Sequence, residues 1–268
     1  MKRTALILAC VALAVPACRW KPSYPANRIA ASLRHMCSAD YKLSVETRHE
    51  QKALQALVWK IGLFKGPAYE LQGVSREALD AIDHVLLCAT RIALSTDAPL
   101  DFIEIKIADV LTGSTVTLWR YVPDIRDSMY QRIGDTEYFN RLVIEIEPGK
   151  KIPSHRNAGA RPVLASGDVT WDRPVTMSEF LAKQIILRAR REGAEALEAH
   201  ADLSDPATLG VVIDNWTTIE EEGPAQAAKV RDVVHKSAEK VIHGYGFTGF
   251  RGMTLRDSEG AALNSWAF

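Results

Sequence analysis

The chain has 268 residues, of which 47% are apolar, with 33 Lys and Arg residues against 33 Asp and Glu residues. This composition is typical of a globular protein, and the length allows one large domain or two small ones. The absence of a basic excess argues against a nucleic-acid-binding surface. No apolar run reaches the ~20 residues that a membrane-spanning helix needs.

The N-terminus has the pattern of a signal peptide. Lys2 and Arg3 form a short basic segment, and an almost unbroken apolar run follows from Thr4 to Val15. This run has the length of a signal-peptide core and is too short to span a bilayer. We therefore expect residues 1–17 to be a signal peptide.

The apolar run ends in Val15-Pro16-Ala17-Cys18. A small residue before a cysteine, with an aliphatic residue two positions further back, resembles the lipobox of bacterial lipoproteins. This resemblance covers only the leader, and it implies cleavage after Ala17 and lipidation of Cys18. The alternatives are an ordinary secretory signal that leaves Cys18 as a plain thiol, and an uncleaved anchor, which the short run disfavours.

Lipidation of Cys18 would make the membrane a partner of the protein. The resemblance implies more than one acyl chain on Cys18. A single acyl chain binds a membrane only marginally, whereas two chains give a stable anchor. In enterobacterial lipoproteins an Asp after the cysteine favours the inner membrane, whereas this chain has Arg19. By resemblance we expect a cell-envelope location on the periplasmic side of the outer membrane, with residues 18–25 as a lipidated tether. Without Lys2 and Arg3, the mature chain has slightly more acids than bases, so no nucleic-acid partner is expected.

Two further cysteines of the mature chain, Cys37 and Cys88, form the second feature of interest. Exported proteins lie in compartments where disulfides persist. A disulfide between Cys37 and Cys88 is therefore one prediction. The alternative is a pair of buried free thiols, which pack as small apolar groups.

Residues 26–147 are predicted to form a first α+β unit. Apolar residues at helical spacing indicate its helices, and alternation of apolar and polar residues indicates its strands. Ser75 is a suitable N-cap for the longest helix. In chain order the pattern predicts a helix over 26–36, a hairpin over 41–61, a helix over 76–95, a hairpin over 103–121, an interrupted helical region over 123–142 and a short strand over 143–147.

Residues 148–175 are rich in Pro and Gly and are predicted to be a loop-rich linker. A second α+β unit follows over 176–268. Thr176 and Glu179 have capping-box spacing at the start of its first helix. The remaining pattern predicts a hairpin over 197–216, a helix that ends near Gly244 and a hairpin over 247–268.

The two units share one order of elements, which is hairpin, helix, hairpin. The fold class is therefore α+β, with small antiparallel sheets packed on helices and two related ββαββ units. A tryptophan is expected late in the second strand of each hairpin, and these residues are Trp59, Trp119, Trp216 and Trp266. The alternative is that the two halves share this order by chance, because hairpins and helices are common elements.

No catalytic, metal or cofactor site is predicted from the sequence. The chain has no metalloprotease, nucleophile-elbow, phosphate-loop or paired Cys-x-x-Cys motif. Asp80 and His84 lie one helical turn apart, but a solvated polar face explains them better than a metal does. His155 and Arg156 fall in the long loop, where a solvated loop is the simpler interpretation.

The leading functional hypothesis is a lipid-anchored envelope protein that binds or scaffolds a partner protein or a wall component. A second hypothesis is an envelope hydrolase whose catalytic residues come together only in the fold. A third is a carrier of an apolar ligand, which predicts a deep cavity lined by Trp and Ile side chains.

Overall fold

Most helices and strands follow one another in the order that the sequence predicts. The computed structural model describes residues 23–63, 73–110, 113–147, 171, 173–205 and 207–267. After a 3₁₀ turn, the helices of these ranges are α1 (Ile29–Tyr41), α2 (Arg76–Ser95), α3 (Val122–Met129), α4 (Asp135–Asn140), α5 (Met177–Arg191), α6 (Trp216–Glu221) and α7 (Pro224–Tyr245). The strands are β1 (Val45–Glu50), β2 (Ala53–Lys60), β3 (Phe102–Asp109), β4 (Thr115–Tyr121), β5 (Val143–Glu147), β6 (Ala199–Asp202), β7 (Leu209–Ile213), β8 (Gly252–Asp257) and β9 (Ala262–Ala267).

The strands form two sheets, and the α+β class is confirmed. The first sheet has the order β1-β2-β3-β4-β5, and the second has the order β6-β7-β8-β9. Each sheet contains the predicted ββαββ arrangement, with α2 between the hairpins of the first and α6 and α7 between those of the second.

One pair of strands in each sheet departs from the predicted antiparallel arrangement. β2 pairs with β3 in parallel, as β7 does with β8, whereas the other pairs are antiparallel. The helical crossover explains this difference, because a helix that returns the chain to the same end of a sheet makes its flanking strands parallel. Each sheet is therefore mixed.

The caps that the sequence predicts begin two of the helices. The Ser75 hydroxyl accepts a hydrogen bond from the Ala78 N–H at 3.2 Å at the start of α2. The Thr176 hydroxyl accepts one from the Glu179 N–H at 3.3 Å at the start of α5. Each hydroxyl satisfies a backbone donor that the first helical turn leaves unpaired.

The first sheet is covered on both faces. α1 and α2 pack on one face, where Ile103, Ile105 and Ile107 are buried. α5 lies on the other face, and the Phe180 ring of α5 is 5.3 Å from the Phe102 ring of β3. α5 also packs against α7, β6 and β7. This helix is therefore shared by the two units and lies beside the edges of both sheets.

One finer prediction was wrong. Trp216 does not end a strand, since it begins α6 and is buried. α7 ends at Tyr245, close to the predicted Gly244, and its cap is Gly246, whose φ of 58° suits the left-handed conformation that glycine adopts without a steric cost. On α2, Leu87 is 51% exposed beside the buried Cys88.

Candidate functional site

The predicted lipidation site, Cys18, lies outside the described residues, and so do His155 and Arg156. His84, one helical turn from Asp80 on α2, stacks on the Tyr41 ring of α1 with 4.0 Å between the ring centroids. In the described ranges, no three His, Cys, Asp or Glu side chains converge in a way that would hold a metal ion.

Cys37 and Cys88 are brought together between α1 and α2. Both residues are buried as free thiols. Burial, together with the neighbouring Cys88 sulfur, raises the pKa of the Cys37 thiol to about 12. The thiols are adjacent, and the disulfide remains a prediction.

A groove with a volume of about 420 Å³ lies between β5 and β6, near the junction of the two units. β5 forms one side of this β5–β6 groove, β6 forms the other, and α5 contributes the remaining side chains. The residues that line the groove are Val143, Ile144, Glu145, Ile146, Lys183, Ile186, Leu187, Arg190, Ala199, His200 and Ala201.

Two open strand edges border the groove. β5 is the outer strand of the first sheet and pairs with β4 alone, and β6 is the outer strand of the second and pairs with β7 alone, within the ranges that the structure describes. An edge strand carries backbone N–H and C=O groups that have no partner in the sheet. The groove is therefore bordered on two sides by hydrogen-bonding backbone.

Two isoleucines of β5 remain partly exposed at this edge. Ile144 is 44% exposed and Ile146 is 47% exposed. They lie opposite Leu118 and Val116 of β4, which are buried. Directly opposed residues share one face of a sheet, so the two isoleucines continue the apolar face of the first sheet beyond its helical cover.

The charged groups around the groove have a small positive excess. Lys183 forms an ion pair with Glu145 and lies 4.7 Å above the centre of the Trp119 ring. The Arg190 guanidinium donates from Nε to the Leu197 carbonyl oxygen at 2.8 Å. Lys183 and Arg190 thus contribute two positive charges beside the single carboxylate of Glu145.

A histidine–aspartate pair lies at the β6 side of the groove. His200 Nδ1 is 2.9 Å from Asp214 Oδ1, and both side chains are largely exposed. In hydrolases such a pair acts on a nucleophilic hydroxyl or thiol. In the described part of the chain, no Ser, Thr or Cys side chain hydrogen bonds to His200, so the pair lacks that third member.

The sequence predicts β5 as a strand but does not predict the groove. The alternation in Val143-Ile144-Glu145-Ile146-Glu147 is the signal that was available, because it places two isoleucines on one face of a strand. The strand also lacks the Pro or Lys that commonly protects an exposed edge. Nothing in this pattern indicates that β6, more than fifty residues later, lies across from it.

None of the helices in the described ranges combines the length and the apolar composition that crossing a bilayer requires. Comparisons with protein-family models, with curated proteins and with solved structures found no match to this chain.

Proposed function

We propose that the protein is a lipid-anchored component of the cell envelope that binds an extended segment of a partner protein in the β5–β6 groove. The observation that carries the binding role is the groove itself, in which two open strand edges face a space beside the half-exposed Ile144 and Ile146. A strand added to an open edge gains main-chain hydrogen bonds, and pockets for alternate side chains give it specificity.

The anchor is supported by the leader alone. Lys2 and Arg3, the apolar run and the small residue before Cys18 occur in the order that a lipoprotein signal requires. Acyl chains on Cys18 would hold the folded part of the chain at a membrane surface. A partner in this location is an envelope protein, or a protein that is attached to the wall.

The chemistry of the groove defines the segment that would fit it. Side chains on one face of an extended segment recur at every second residue, so apolar residues at alternate positions would contact Ile144 and Ile146. Lys183 and Arg190 outnumber Glu145, which favours a segment that carries an acidic residue. The partner segment is therefore extended, alternately apolar and mildly acidic.

The other two hypotheses have less support. The His200–Asp214 pair is the one observation in favour of a hydrolase, and in the described residues no nucleophile accompanies it. An apolar carrier should have a deep cavity lined by Trp and Ile side chains. The β5–β6 groove has two isoleucines but also Lys183, Arg190 and His200, and it is open to solvent.

Photo-crosslinking in cells that produce the protein tests this function. A benzophenone amino acid is placed at Ile144, and Leu79 of α2 is the control position because it is 49% exposed and does not line the groove. We expect one discrete protein adduct from position 144 and no corresponding adduct from position 79. Equal adducts from both positions, or none from position 144, would contradict the proposal.

Hydrogen exchange then distinguishes strand addition from a loose contact. The segment mapped in the adduct is synthesised as a peptide, and a second version carries N-methyl groups on alternate amides. We expect the first peptide to slow exchange of the β5 and β6 amides, and the second to have no effect because it cannot complete a ladder. Binding of both peptides alike would exclude strand addition.

A further inference from the structure

Three large apolar side chains are exposed on the neighbouring helices α3 and α4. Met129 is 64% exposed, Tyr130 is 72% exposed and Phe139 is 64% exposed. We call them the α3–α4 apolar surface. Single apolar residues on a surface need no explanation, but these three occur within residues 129–139, at the end of α3 and in α4, and the two helices pack together.

The α3–α4 apolar surface lies at the end of the molecule where the tether enters. The Tyr24 N–H donates to the Ser95 carbonyl oxygen at 3.3 Å, and the Ala26 N–H donates to Asp97 Oδ1 at 2.8 Å. Both contacts fix the start of the described chain to the C-terminal end of α2. Arg126 of α3 donates from Nη2 to the Ala93 carbonyl oxygen at 3.5 Å, so α3 lies against the same end of α2.

The length of the tether limits how far this end can lie from a lipid anchor. Cys18 and Ser23 are separated by five residue steps in the sequence. Five residues span at most about 18 Å when fully extended. A lipidated Cys18 would therefore keep the last turn of α2, and α3 beside it, within a short distance of the headgroups.

From these observations we infer that the α3–α4 apolar surface rests on the bilayer that holds Cys18. This inference rests on the proposed lipid anchor and extends it to the orientation of the protein. Tyr side chains favour the membrane–water interface, where the ring is partly buried and the hydroxyl stays hydrated, and Phe is among the residues that interfacial helices bury in the apolar layer. In this orientation the protein lies flat against the membrane through α3 and α4, and is not suspended on a mobile tether.

The charges around the surface fit a lipid headgroup layer without requiring an anionic one. Arg132 pairs with Asp127 at 3.1 Å, and Arg126 and Asp135 are exposed nearby in the chain. The two cations are thus balanced by two acids. Contact with lipid would therefore depend on the apolar side chains and change little with salt.

Lipid photo-crosslinking tests the orientation. The full-length mature protein, with its natural N-terminus, is reconstituted into vesicles of phosphatidylethanolamine and phosphatidylglycerol. A benzophenone amino acid is placed at Tyr130 or Phe139, and Leu79 is the matched control. Leu79 lies near the opposite end of α2, about 24 Å along the helix from Ser95. Mass spectrometry of the same sample measures both the acylation of Cys18 and the yield of phospholipid adducts.

The result expected is a phospholipid-adduct yield several-fold higher at positions 130 and 139 than at position 79, with a similar ratio at low and at high salt. Acylated Cys18 with equal adduct yields at all three positions would overturn the orientation and leave the anchor intact. An N-terminus without acyl chains would overturn the anchor and, with it, this inference. The double variant Tyr130→Ser and Phe139→Ser should lower the adduct yield from a benzophenone at position 129, and an unchanged yield would also overturn the inference.

Discussion

Arg141 and Asp124 form a buried ion pair, with 2.8 Å between Arg141 Nη1 and Asp124 Oδ1. The same guanidinium donates from Nη2 to the Gly244 carbonyl oxygen of α7 at 2.9 Å. The Tyr245 hydroxyl donates to Asp124 Oδ2 at 3.1 Å. The pair therefore joins α3 and α4 of the first unit to α7, the last helix of the second unit.

We expect Asp124→Ala to lower the free energy of unfolding by about 1–3 kcal/mol, because the Tyr245 hydroxyl and one nitrogen of Arg141 lose their buried acceptor while Glu137 still pairs with Arg141. Urea unfolding followed by circular dichroism measures this change. The control is Glu192→Gln, since the ion pairs of Glu192 with Arg188 and Lys240 are partly exposed and such pairs contribute about 0–1 kcal/mol. Similar losses in the two variants would show that the buried pair has no special role.

The second prediction concerns the thiols of Cys37 and Cys88. If the possible disulfide forms in the envelope of the producing cells, a disulfide oxidoreductase accepts the two electrons and the two protons leave the sulfurs. Denaturation without a reductant, followed by alkylation, should then label neither residue. Labelling of both would establish the alternative of two free thiols.

If the protein is first reduced and kept folded, we expect alkylation of Cys37 to be slow at neutral pH. Burial raises its pKa to about 12, and the thiolate is the reactive form. Unfolding in urea should increase the labelling rate by several orders of magnitude, as the pKa returns toward its ordinary value of about 8.5. Equal rates in the folded and unfolded protein would mean that the thiol is not buried.

The Ser75 cap of α2 gives a prediction that tests the local geometry. Ser75→Ala should lower the free energy of unfolding by about 1 kcal/mol, whereas Ser75→Gly should lower it by only a few tenths, because glycine leaves the N-terminal amides accessible to water. Thermal or urea unfolding of the two variants measures the difference. Equal stability of Ser75→Ala and the unchanged protein would show that the hydroxyl of Ser75 does not stabilise the helix.

Ile144 and Leu118, which lie opposite each other on β5 and β4, should respond differently to substitution. Ile144→Lys should change the free energy of unfolding by less than about 1 kcal/mol, because the side chain is half-exposed, yet it should abolish the adduct from a benzophenone at Ile146. Leu118→Ala should cost about 2–5 kcal/mol, because Leu118 is buried. Leu87→Lys on α2 is the matched control for the charge, and it should leave the adduct unchanged.

The sequence predicts the elements well where local signals are strong. The bounds of α2 agree with the predicted range, since Ser75 caps it and its apolar residues recur at helical spacing. The ββαββ order also follows from the sequence, because the change of hydrophobic period marks each strand and helix. The two capping interactions are local as well, so a single sequence shows them.

The sequence does not show which faces are covered. Glu104 alternates with isoleucines, a pattern typical of a strand with one solvated face, yet Glu104 is 4% exposed and accepts a hydrogen bond from Gln55 Nε2 at 2.9 Å. α5, which lies more than seventy residues later, covers that face. The sequence does not predict the groove for the same reason. The groove depends on how α5, which packs against both strands, places β5 and β6.

Mass spectrometry of the mature N-terminus, combined with fractionation of the envelope, is the most direct test of the anchored state on which the proposed function depends. It should be done for the unchanged protein and for Cys18→Ser. We predict an acylated Cys18 and a membrane-bound protein in the first case, and a soluble protein in the second. An unmodified Cys18 in a soluble protein would contradict the lipid anchor and the orientation inferred from it.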